Sequence, residues 1–180
     1  VTGDSNMFVY GGDFSGTPRT GSNGFSGGIT SVGSLLGNAN LTIDLRNYQG
    51  QFRLPSGTNI SGGRPPGNNT TLGTDENNTI TVNILTAAGS DVLNGAIIFG
   101  DGGPTGSAGN GRSGKINMNI QAEGSSIGTL YATNYPNVAN SRILKDVLVN
   151  VQGAKSINGI SGGNSATASD LTNAIVNNST

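Results

Sequence analysis

A right-handed parallel β-helix, an all-β solenoid of about five coils with loops of variable length, is the architecture expected of this chain. Three observations lead to it. First, one alternating stretch is written four times: residues 39–47 read ANLTIDLRN, 78–86 NTITVNILT, 114–122 GKINMNIQA and 146–152 DVLVNVQ. Each alternates apolar with mostly polar residues, the period of a half-buried strand, and the copies recur at roughly 30–40 residues, as in repeat architectures. Second, each copy is followed by a short apolar segment that in most copies ends at Gly, and then by a connection of free length. Third, 31 glycines, 33% hydrophobic residues and only 11% charged ones suit short strands joined by many turns, because Gly and Asn accept positive φ.

Aligning the copies places Leu41, Ile80, Ile116 and Val147 in one column, Ile43, Val82, Met118 and Val149 in the next, and Leu45, Ile84, Ile120 and Val151 in a third. These columns are expected to point inward and stack coil on coil. Between them, Asp44, Asn83, Asn119 and Asn150 form a polar column. On the outside of a solenoid such side chains lie about 4.8 Å apart and can hydrogen-bond along the ladder. An antiparallel β-sandwich is the competing architecture, since it shares the strand and turn signals. It gives no reason for one motif to recur with its polar column in register.

In chain order, residues 7–10 read as a strand stopped by Gly11-Gly12, 16–28 as a loop, and 29–36 as a short strand before the first copy. Residues 51–63 end apolar at Ile60, and 64–77 form a turn-rich loop opening on Pro65-Pro66. The second-part strands after the later copies fall at 92–100, 126–133 and 156–163, with loops at 101–113 and 134–142. Residues 171–176 read as one more strand or a short terminal helix. The 180 residues fit a single domain. The chain opens on Val1 rather than Met, which points to a fragment of a larger protein.

The Asn/Gly/Thr-rich units resemble the pectate-lyase-like β-helix modules of bacterial surface adhesins. The residues that carry the resemblance are 41–45, 80–84, 116–120, 147–151 and the NGISGGN ending within 156–164. It implies extracellular display at a bacterial cell surface, anchored in the wall or as a passenger domain. There the module serves adhesion and virulence as a rigid platform binding host or cell-surface glycans or proteins.

Several chemistries find no support. A net charge of −1 steers the chain toward neither nucleic acid nor anionic lipid. No stretch is apolar and long enough to span a bilayer. Without Cys there is neither a disulfide framework nor a thiolate site. Without His the commonest general base is missing, and no ordinary serine triad is available. The glycine-rich run at 100–111 leads into a strand rather than the helix a dinucleotide loop needs, and it reads as a turn. Asp75-Glu76 could supply only part of the six to eight oxygens that Ca²⁺ takes. No metal and no cofactor is therefore expected. An enzyme of the polysaccharide lyase or hydrolase type needs clustered carboxylates. Here Asp13, Asp44, Asp75, Glu76, Asp91, Asp101, Glu123 and Asp146 are spread along the chain, and the polar column holds Asn where a catalytic cluster would hold acids. A non-catalytic module is expected, with the lyase or hydrolase and a purely structural stalk as the alternatives.

Each long connection carries an arginine: Arg19, Arg64, Arg112 and Arg142. In a solenoid, connections that follow equivalent strands leave the same edge, so the loops at 101–113 and 133–142 are expected side by side. They would gather Asp101, Arg112, Tyr131, Tyr135 and Arg142, with Arg64 extending the surface. An aromatic face for a sugar's apolar side beside fixed donors suits carbohydrate. Because Arg pairs bidentately with carboxylates, acidic sugars come first, with an extracellular protein as the other partner. A monomeric module is expected. The bland reading is that Tyr131 is core and the arginines tie loops down.

Overall fold

The structure, a computed structural model, describes residues 5–10, 29–30, 38–47, 59–63, 79–102, 112–113, 115–134, 142–143, 146–161 and 173–179. These residues form strands β1 (Ser5–Tyr10), β2 (Ile29–Thr30), β3 (Ala39–Leu45), β4 (Asn59–Gly63), β5 (Thr79–Thr86), β6 (Ile97–Gly102) and β7 (Arg112–Ser113). They continue with β8 (Lys115–Gln121), β9 (Ser126–Asn134), β10 (Arg142–Ile143), β11 (Asp146–Gln152), β12 (Ser156–Ser161) and β13 (Asn173–Ser179). Among the described residues there is no helix; of the segment at 171–176, the described part from Asn173 on is strand, β13.

The chain alternates between two sheets. The four alternating copies supply β3, β5, β8 and β11 to a six-stranded sheet ordered β1-β3-β5-β8-β11-β13. The second-part segments supply a five-stranded sheet ordered β12-β9-β6-β4-β2. Every pairing among the described residues is parallel. That overturns the antiparallel sandwich and is compatible with a solenoid. The short pair β7–β10 lies at the ends of the connections at 101–113 and 133–142, where the sequence predicts loop. Two residues per strand leave no periodicity to read.

Burial follows the alternation. β5 reads half-buried, buried, half-buried, buried throughout, with Ile80, Val82 and Ile84 at most 5% exposed. One continuous apolar cluster joins Leu41, Val82, Met118 and Val149 of the first sheet to Ile60, Ile98, Ile127 and Leu130 of the second. Burying each such side chain contributes roughly 1.5–3 kcal/mol. Gly100 lets the two sheets close on each other: a Cβ there would stand 2.5 Å from Ile116 Cγ2 and 2.6 Å from the Ala132 carbonyl oxygen.

The tight turns leaving β5, β8 and β11 are themselves stacked. Gly89, Gly124 and Gly153 all take φ between 63° and 70°, the left-handed region glycine favours. The Gly89 N–H donates to the Glu123 carbonyl at 2.6 Å, and the Gly124 N–H to the Gly153 carbonyl at 2.7 Å. Beneath them, the buried Ser125 hydroxyl meets Thr86 Oγ1 at 3.2 Å and the Ala87 carbonyl at 3.3 Å. The polar groups that this corner buries are thereby paired.

The register corrects one part of the sequence alignment. β5, β8 and β11 align as expected, Ile80–Ile116–Val147 and Val82–Met118–Val149 standing opposite one another. β3 is displaced by two residues. Leu41 pairs with Val82, Ile43 with Ile84 and Leu45 with Thr86, while Ala39 takes the place beside Ile80. Asp44 consequently leaves the polar column: it stands opposite Leu85, and Thr42 occupies the rung beside Asn83. A two-residue slip keeps every side chain on its own face, so alternation is blind to it, whereas a one-residue slip would invert the strand. A side-chain bond between coils accompanies the observed β3–β5 register: the Thr79 N–H donates to Asn38 Oδ1 at 2.9 Å. On the other side of β3, Asn40 Nδ2 donates to Asn6 Oδ1 of β1 at 2.9 Å.

Candidate ligand surface

On the outer face of the six-stranded sheet, the corrected column runs Thr42, Asn83, Asn119, Asn150. Asn119 Nδ2 donates to Asn83 Oδ1 at 3.0 Å, and Asn83 Nδ2 to Thr42 Oγ1 at 3.4 Å. All four residues are half-buried. The Asn83 and Asn119 amides are thus engaged within the column, which makes that part of the face a structural ladder more than a ligand surface. Asp44 instead binds Arg46 within its own strand end, accepting from Nε at 2.9 Å and from Nη2 at 2.6 Å. Those donors hold the Asp44 carboxyl below its ordinary range.

The second sheet carries a different column. Ser61, Phe99, Tyr131 and Ser161 occupy successive rungs of β4, β6, β9 and β12. Their neighbours Ile60, Ile98 and Leu130 belong to the core cluster, so strand alternation turns Phe99 and Tyr131 to the opposite face. The two rings stack with centroids 5.4 Å apart and planes 14° from parallel. Phe99 is only 1% exposed, whereas Tyr131 is half-buried. Tyr131 is therefore neither core, as the bland reading had it, nor an isolated plate.

Of the other expected ligand-surface residues, Asp101 lies on β6, two positions beyond Phe99, paired with Thr133 on one side and Gly63 on the other. Arg112 and Arg142 are direct register partners in β7–β10. The structure thus brings Asp101 onto the sheet that carries Tyr131, and Arg112 onto the rung of Arg142. Tyr135 and Arg64 lie outside the described residues. Phe99 escaped the sequence reading because it sits in an apolar run, IIFG. Setting Ile60-Ser61-Gly62, Ile98-Phe99-Gly100 and Leu130-Tyr131-Ala132 in register would have exposed it, since each reads aliphatic, variable, small.

Among the described residues no three of His, Cys, Asp and Glu come together, and no helix is long and apolar enough to cross a membrane. No protein-family model matches the chain, and neither a curated protein nor a solved structure matches it.

Proposed function

We propose that the chain is a single-stranded right-handed parallel β-helix of about five coils. In this reading it is a non-catalytic, ligand-presenting module of a bacterial surface adhesin. It is displayed outside the cell and binds host or cell-surface glycans, acidic ones first, or an extracellular protein. The observation that carries the reading is the parallel pairing of Arg112 with Arg142. Two long connections, each following a second-sheet strand, meet at arginines on one rung. Arginine is the residue type that pairs bidentately with carboxylates, so two arginine positions on one rung favour an acidic ligand. A single site of this kind binds near millimolar, about 4 kcal/mol, and display in many copies supplies avidity.

The test is a glycan and matrix-protein array probed with the whole chain and with the double variant Arg112→Gln/Arg142→Gln. The reading expects acidic glycans bound by the wild type and at least tenfold weaker binding by the variant. A wild-type chain that binds nothing on the array would leave a structural stalk.

A further inference from the structure

Two of the chain's four Asn-Gly dipeptides, Asn94-Gly95 and Asn158-Gly159, lie among the described residues, and one hydrogen bond joins them. Asn158 Nδ2 donates to the Asn94 carbonyl oxygen at 3.3 Å. Their surroundings differ. Asn94 and Gly95 are the central residues of a turn that the Ala96 N–H closes on the Leu93 carbonyl at 3.1 Å. Among the described residues, neither the Asn94 side-chain amide nor the Gly95 N–H makes a hydrogen bond, and Asn94 is only half-buried. Asn158 lies within strand β12. Its amide nitrogen is committed to Asn94, and the next residue, Gly159, is held in register with Thr129 of β9.

We propose that Asn94 is a self-modification site, deamidated by its own backbone with Asn158 assisting. The nucleophile is the Gly95 amide nitrogen. Hydroxide removes its proton, and the charge left behind is shared with the Asn94 carbonyl oxygen of the same peptide group. Asn158 Nδ2 already donates to that oxygen, so a fixed donor sits where charge develops. The nitrogen then attacks Asn94 Cγ, and glycine's lack of a Cβ leaves the backbone free to make the approach. The Cγ–Nδ2 bond breaks, and ammonia leaves with a proton from water, which returns the hydroxide. Water opens the resulting five-membered imide at either carbonyl, giving aspartate or isoaspartate; nothing is oxidised or reduced. In the isoaspartate product the main chain runs through the former side chain. The old Asn94 carbonyl becomes a carboxylate, a stronger acceptor for the Asn158 amide. At Asn158-Gly159 the strand and the engaged amide work against the same reaction. This site is independent of the glycan-binding reading.

Incubating the whole chain at mildly alkaline pH and mapping its peptides by mass spectrometry tests the site, with the same chain in urea as the reference. Each conversion puts an acid in place of an amide, a mass change the spectrum reads directly. In the folded chain Asn94 is expected to convert several-fold faster than Asn158. In urea, where only local sequence acts, the two rates should converge. Asn158→Leu should slow conversion at Asn94 several-fold in the folded chain and leave it unchanged in urea. Gly95→Ala is a second variant: Gly95 is not among the glycines with left-handed φ, so its backbone accepts Ala. Conversion at Asn94 should nearly stop there while the urea midpoint stays the same. Equal rates at Asn94 and Asn158 in the folded chain, or a preference for Asn94 that survives in urea, would overturn the site. A rate at Asn94 that Asn158→Leu leaves unchanged would overturn the assistance.

Discussion

Asp44 and Arg46 form an ion pair two residues apart, at the end of β3 and in the turn that follows. Both are solvent-accessible enough for screening to keep the pair weak, yet its proton linkage has a definite sign. Hydrogen bonds from Arg46 lower the folded-state pKa of Asp44 below its ordinary value. The pair's contribution is therefore fully present above the unfolded pKa near 3.9 and fades as pH falls through the folded value. Carbon-detected NMR titration should find Asp44 below the ordinary aspartate range, and Arg46→Gln should return it toward that range. Asn117 presents the opposite case: its Oδ1 is buried without a hydrogen-bond partner, on the rung between Thr81 and Leu148. An unmade bond costs the desolvation of the group. Asn117→Leu should be neutral or stabilise the fold by about 1 kcal/mol in urea unfolding, and a loss of comparable size would show that the amide is satisfied in solution.

At the scale of the element, a strand here is defined by what stands on the rung above and below it. Asn119 illustrates this, because its amide reaches Asn83 on β5 and not a residue of its own strand. Asn119→Leu removes a bond between coils and should cost about 1 kcal/mol, read as a lower urea midpoint with an unchanged slope. The glycine ends of the second-part strands have a packing role that composition alone does not disclose. Gly100 faces Ile116 across the core at a distance that leaves no room for a side chain. Gly100→Val should therefore destabilise by about 1–3 kcal/mol through overpacking, a larger loss than Asn119→Leu and detectable in the same unfolding experiment.

For the whole molecule, each described strand of the two main sheets pairs with the strands of adjacent coils, while the Asn158 Nδ2 bond to the Asn94 carbonyl at 3.3 Å reaches past one coil; stability is then close to a sum of units and nearest-neighbour interfaces. Deleting residues 80–115 should then remove one unit and leave the rest in register. Ile80 and Ile116 are register equivalents, as are Thr79 and Lys115, so β3 would receive β8 where it now receives β5. The shortened chain should keep a β-type circular dichroism spectrum and a cooperative melt at lower temperature. An unfolded spectrum would mean that the long-range order is not one-dimensional.

Two features were legible before any coordinates: which residues face inward on β5, β8 and β11, and that these strands are copies of one unit. Both rest on period 2, a local property of the backbone that the order of apolar and polar residues reports directly. The placing of β3 was not legible, because a displacement of two residues preserves every apolar and polar face. Only contacts between coils, such as Asn38 with Thr79, distinguish the two alignments. The stacking of Tyr131 on Phe99 was hidden for a related reason. The two residues are 32 positions apart and become neighbours only when β6 and β9 pair in a particular register. Alternation along a strand is written in the strand itself. Which rung meets which is decided by the packing of coils, and the aromatic column and the arginine rung are both products of that second decision.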